Sequence, residues 1–188
     1  MKTLWKVLLI VAVVLVVAGA WFIKGLNTPV VMDEAVNSAW AQVENQLQRR
    51  NDLIPNLVST VKGYMEHEAT TFTKITELRS GWTNAKTVGE KIDNANQVTA
   101  ALSRLLVVAE NYPELKANQN FITLQAQLEG TENRIAVERM RYNDAVKRFN
   151  AYQRTVFGAF FCGLRGLREP RVYFKAEEAA KSVPKVQF

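Results

Sequence analysis

The sequence predicts an all-α protein: an N-terminal transmembrane helix followed by an elongated antiparallel helical bundle. Three observations carry that expectation. Residues 7–23 contain no charged or strongly polar side chain, and Lys6 and Lys24 bracket them. From Val36 onward, apolar side chains recur at alternating spacings of four and three, the period of helices packed nearly parallel. Alternating β-branched patterns and turn dipeptides, the marks of strands and hairpins, are nearly absent.

The first element is the anchor, residues 1–25. At about 1.5 Å per residue the apolar run spans roughly 26 Å, just short of a hydrocarbon core of about 30 Å. Leu4 and Trp5 extend it, and the lysine stems can snorkel outward at both ends. Val7, Leu8, Leu9, Ile10, Val11 and Leu15 supply its lipid-facing bulk. Trp21, Phe22 and Ile23 close it where an aromatic belt sits. The alternative is a cleaved signal peptide, with Ala18-Gly19-Ala20 as its cleavage site. The apolar run continues past that site, which favours the anchor. It carries no charge for transport and no Gly-x-x-x-Gly motif for pairing, so anchoring is its expected whole role. Lys2, Lys6 and the α-amino group outweigh Lys24, so the positive-inside rule places the N-terminus in the cytoplasm and the rest outside.

Residues 26–32 read as a linker broken at Thr28-Pro29, and residues 33–188 as one helical domain. A first long helix is expected over residues 33–81, with its seam on Val36, Trp40, Val43, Leu47, Arg50, Ile54, Leu57, Val61 and Tyr64. Pro55 should kink it near Asn51-Asp52, because proline lacks an N–H and clashes with the carbonyl four residues back. A shorter helix follows over residues 90–112, stopped by Pro113. A third runs over residues 118–156. An apolar, glycine-containing segment spans 157–167, and a last short helix is expected over 171–182. The second helix is about half the length of the first. A partly bare seam, and hence self-association, is therefore expected.

Composition removes several function classes. Beyond the anchor the chain holds 21 basic and 18 acidic residues, too even for a typical nucleic-acid binder. One cysteine and one histidine leave no disulfide, no cysteine-based zinc site and no multi-histidine site. No phosphate loop or nucleophile elbow occurs. No catalytic, cofactor-binding or metal-ligating residue is assigned. Glu66, His67 and Glu68 read as a solvated helix face.

Two constellations stand out. Arg50 falls on the apolar seam, and a buried arginine needs carboxylate partners. The third helix offers Glu129 and Glu132, with Asn133 adjacent and Tyr142 and Asn143 further along. The expected role is a polar network that fixes helix register. The second constellation lies near the C-terminus. Ten basic residues against three acidic ones fall between Arg134 and Lys175, around the run 156–164. Phe157, Phe160, Phe161, Leu164, Arg165 and Arg168 form a candidate interaction surface for an anionic membrane or an acidic partner. The competing reading buries those phenylalanines at the end of the bundle core.

These residues resemble the LemA family of bacterial membrane proteins over almost the whole chain. The resemblance rests on Trp-Ala-Gln-Val-Glu-Asn-Gln-Leu-Gln at 40–48, Arg-Asn-Asp-Leu-Ile-Pro-Asn-Leu at 50–57, and Val61-Lys62-Gly63-Tyr64 with Glu68. It continues through residues 102–106, Glu-Asn-Tyr-Pro-Glu-Leu-Lys-Ala-Asn at 110–118, Phe121, residues 128–135, residues 141–146 and Asn150, and closes on Pro184-Lys185-Val186 with Phe188. Thr155-Val156-Phe157-Gly158 stands where the family pattern has a Phe-Pro turn. The resemblance implies an N-terminal membrane helix, a helical domain, and no established reaction. The expected function is a non-enzymatic, membrane-anchored scaffold of the bacterial cell envelope, in the inner membrane. Its expected partners are the bilayer, copies of itself and an unidentified envelope protein, with no nucleic acid and no cofactor. The alternative is an adaptor that binds one envelope protein, such as a protease or sensor.

Overall fold

The computed structural model describes residues 2–65 and 69–175. Six helices and no strand occur among the described residues: α1 Lys2–Lys62, α2 Ala69–Asn84, α3 Val88–Ala109, α4 Pro113–Lys116, α5 Gln119–Gln153 and α6 Val156–Leu164. The chain is all-α, as its periodicity predicts.

Helix α1 runs through both of its prolines. The expected linker at 26–32 is helical. Pro29 lacks an N–H, so the helix loses one internal bond there. Thr28 Oγ1 donates to the Lys24 carbonyl at 2.8 Å within the same turn. The Pro29 ring itself is buried. At its far end α1 is shorter than expected. It stops at Lys62, where Tyr64 and Met65 N–H groups both donate to the Val61 carbonyl. Gly63 weakens the helix at that point, and a new helix starts at Ala69. The apolar spacing resumes in α2 at Phe72, Ile75, Leu78 and Trp82, so periodicity alone does not reveal the break. The Glu66, His67 and Glu68 cluster lies outside the described residues.

Helix α3 starts on a capping box. Thr87 Oγ1 accepts from the Glu90 N–H at 3.2 Å, and the Glu90 carboxylate accepts from Thr87 N–H at 3.1 Å and Lys86 N–H at 2.7 Å. Pro113 opens α4 at its first position, where no donor is missed. Asn118 Oδ1 then accepts from the N–H groups of Asn120 and Phe121 and starts α5.

The chain divides into two compact units, one formed by residues up to Ala39 with Asn143–Arg171, the other by Trp40–Tyr142 with residues from Val172 onward. The core of the second unit joins Ile54, Leu57 and Val61 of α1 to residues of α2, α3, α4 and α5, among them Ile75, Leu102, Leu115 and Phe121. Each such side chain contributes about 1.5–3 kcal/mol on burial. The α1 seam is not bare, contrary to the length argument. Val36, Trp40, Val43, Leu47, Arg50, Ile54, Leu57 and Val61 are all buried within one chain. Several elements share the cover: α2, absent from the single-helix reading, joins the core around Ile54, Leu57 and Val61, Tyr142 and Phe174 lie against Trp40, and α3 and α5 enclose Arg50. Residues 171–175 are not helical, contrary to expectation, and the rest of the expected last helix lies outside the described residues. Their backbone is held by side chains instead: Tyr142 Oη donates to the Val172 carbonyl at 2.7 Å, and Asn96 Nδ2 to that of Lys175 at 3.0 Å.

Candidate membrane-interface site

The N-terminal part of α1 is long and apolar enough to cross a bilayer, and none of its most apolar stretch is buried in the protein. Val7, Leu8, Leu9, Ile10, Val11, Leu15, Trp21, Phe22 and Ile23 are all exposed. This is the pattern of a membrane anchor rather than of a soluble core helix, which would be covered.

At the end of that stretch α1 meets α6. Thr155 caps α6: its Oγ1 accepts from the Gly158 N–H at 3.0 Å and donates to the Tyr152 carbonyl at 2.8 Å. The turn from α5 into α6 is tight enough that a Cβ on Gly158 would stand 1.8 Å from the Tyr152 carbonyl oxygen. At its other end Gly166 takes the left-handed conformation, φ 73°, and Leu167 N–H donates to the Cys162 carbonyl at 2.9 Å. That is a glycine-dependent helix stop. The arginines Arg165 and Arg168 then sit where the helix dipole is negative.

Phe161 is the pin. It is buried, with its ring edge-on to Trp21 at 5.6 Å, Phe22 at 5.8 Å and Phe160 at 5.2 Å. Gly25 makes room for it, since a Cβ there would fall 2.2 Å from the Phe161 ring. Phe157 also stands edge-on to Trp21, at 5.4 Å, yet remains exposed, as do Phe160 and Leu164. The two readings of this segment thus divide by residue: Phe161 is core, and Phe157, Phe160 and Leu164 are surface. Arg165 crosses to α1, where Nε donates to the Leu26 carbonyl at 3.0 Å and Nη2 to Asn27 Oδ1 at 3.3 Å. The Arg168 side chain lies against Gly163 of α6. Below them, Asn150 holds both the N–H and the carbonyl of Arg171, at 2.8 and 2.9 Å. The Arg171 guanidinium pairs with Asp33 and lies over the Phe149 ring. Burial pushes the Cys162 thiol up, with Asp33 adding to the effect, which leaves it protonated and a poor nucleophile.

The polar network lies in the other unit. Arg50 is 1% exposed. Its Nη1 donates to Glu132 Oε1 at 2.8 Å and Thr99 Oγ1 at 2.7 Å, and its Nη2 to the Ala95 carbonyl at 3.0 Å. Of the expected partners only Glu132 is a direct one. Glu129 is exposed and accepts from Gln125, and Asn133 is exposed. At 100° per residue Asn133 points well away from Glu132, whereas Glu129, only about 60° away, lies one turn earlier and is taken by Gln125. Tyr142 stacks edge-on to Trp40 at 5.3 Å and holds the Val172 carbonyl, away from Arg50's acceptors. Asn143 is half-buried in the first unit. Thr99 and Ala95 escaped the sequence reading, since a seam pattern does not say which carbonyl a long side chain reaches. Gly25 escaped it for a similar reason: its role exists only against Phe161, more than a hundred residues away.

No curated protein matches the chain. The family model of the LemA family matches residues 39–188, from the seam through the polar network and α6 to the C-terminus, and the chain belongs to the LemA family.

Proposed function

We propose that this protein is a non-enzymatic, membrane-anchored helical scaffold of the bacterial cell envelope that self-assembles and organises membrane or partner proteins. One observation carries the reading: the exposed apolar span and the buried seam belong to one uninterrupted helix, α1. The chemistry of the interior supports the same reading. Arg50 is committed to three acceptors, and Cys162 is held protonated. Both serve packing rather than turnover.

The protein is a single-pass inner-membrane protein with its helical domain outside the cytoplasm. The lysine balance around the span supports that orientation. Arg165 approaches Leu26 in space but lies too far along the chain to enter that count.

Self-assembly does not draw on the α1 seam, which is covered. It draws on exposed apolar side chains of α5, Ile122, Val137 and Met140. A photo-crosslinking residue in place of Val137, activated in intact membranes, is expected to give a ladder of the chain with itself. One dominant adduct to a single other protein would favour an adaptor and contradict the scaffold.

A further inference from the structure

Helix α6 has no polar side chain on any face. At 100° per residue Val156, Phe157, Phe160 and Leu164 fall within one arc of about 100°. They are also its exposed large residues, at 84, 61, 55 and 54%. Phe161 and Cys162, on the opposite side, are buried. A helix apolar all round belongs in an apolar medium, yet here one face meets protein and the other meets none.

We propose that α6 is a second membrane contact: an interfacial helix whose exposed edge lies among the acyl chains of the leaflet that holds Trp21 and Phe22. This rests on reading α1 as a span. Continuity with that span identifies lipid as the occupant. Phe157 touches Trp21, which is itself half-exposed at the end of the apolar run, so lipid that reaches Trp21 also reaches Phe157. Charge marks the depth. Lys24 and Arg165 lie just beyond the aromatic level, with Arg165 fixed there by its bonds to Leu26 and Asn27. Cations at that level meet lipid phosphates, and aromatics below them meet the acyl boundary. Two contacts also do what one span does not: they fix the rotation of α1 about its own axis.

The test places nitroxide labels on the full chain in vesicles of phosphatidylcholine and phosphatidylglycerol. With Cys162→Ala as background, single labels go at Leu8→Cys, Phe160→Cys, Leu164→Cys and Ala126→Cys. Relaxation by oxygen, which partitions into lipid, is compared with relaxation by a water-soluble nickel chelate. Positions 160 and 164 are expected to resemble position 8, rich in oxygen and shielded from nickel, while position 126 is open to nickel. If 160 and 164 are open to nickel while 8 is lipid-like, α6 is in water and the proposal fails alone. If 8 is itself open to nickel, the span reading fails with it. Shielding of 160 and 164 from both reagents means a protein covers α6, which overturns the lipid assignment. Should the Cys162→Ala background lose helicity, the unaltered chain in vesicles containing a diazirine lipid gives the same decision. Adducts mapped on residues 156–164 support the proposal, and adducts confined to residues 4–23 overturn it.

Discussion

Arg50 spends its two terminal nitrogens on Glu132, Thr99 and the Ala95 carbonyl, while its Nε finds no partner. A pair like this adds little net stability, because desolvation offsets attraction, but losing one member is costly. The Glu132 side chain is 35% exposed, so water moderates both effects. Glu132→Ala should destabilise the fold by about 1–3 kcal/mol in urea melts. Arg50→Met should stay within about 1 kcal/mol of the parent, since it removes the buried charge and Thr99 keeps its own bond to Ala95. The reverse order would contradict a structural role for the pair. Glu90 gives a pH handle. The backbone N–H groups of Lys86 and then Thr87 hold its carboxyl below the ordinary value of 4.5. Its folded pKa is therefore lower than its unfolded one, so its stabilising effect is complete above about pH 4.5 and is lost as pH falls below that. Glu90→Gln should flatten the acid limb of the stability profile relative to the parent. An unchanged slope would count against the capping box. Arg50's burial was legible, because a charge on a heptad position has to be buried or break the seam. Its full partner set was not, because the carbonyl of Ala95 carries no signature in sequence.

Helix boundaries follow from a balance that apolar spacing does not report. Val61, Met65 and Phe72 are all buried on either side of a helix break, so the apolar rhythm does not mark it. Pro29 reads as a stop and is not one. Its ring is buried, and the lost bond lies within a helix that neighbouring contacts from Thr28 and Arg165 support. Helix α6 was hidden by composition, since a run of Phe, Gly and Ala has no 3.6-residue contrast. Its Thr155 cap and Gly166 stop were both in the sequence and would have located it. Gly158→Ala tests how α6 is held. Its Cβ would overlap the Tyr152 carbonyl, so a cost of about 1–3 kcal/mol is expected. Faster hydrogen exchange should be confined to α6 and the adjoining turn, with α3 amides unchanged. Gly130→Ala is the matched control: its Cβ meets open space on a helix, and a gain of about 0.5–1 kcal/mol is expected. Equal effects at the two glycines would remove the close-approach argument.

At the scale of the molecule the family and a candidate membrane span were both readable from the chain. An apolar run of residues 7–23 is a solvent statement, and several of the motifs that mark the family, Arg50 to Leu57 among them, include residues of the buried seam. What the chain associates with was not readable, because a covered seam and a bare one have the same periodicity. The orientation we propose rests on the lysines flanking the candidate span. Protease added to spheroplasts, with the outer membrane removed, should digest the domain from outside while an N-terminal tag stays protected. Digestion only after lysis would reverse the topology. The central claim, that this is an assembling scaffold and not a solitary tether, is tested most directly by stoichiometry. The full chain is drawn from native membranes into polymer-bounded nanodiscs and the particles are weighed singly. The account predicts particles holding several copies of the chain; a uniform population holding one copy and no partner would contradict it.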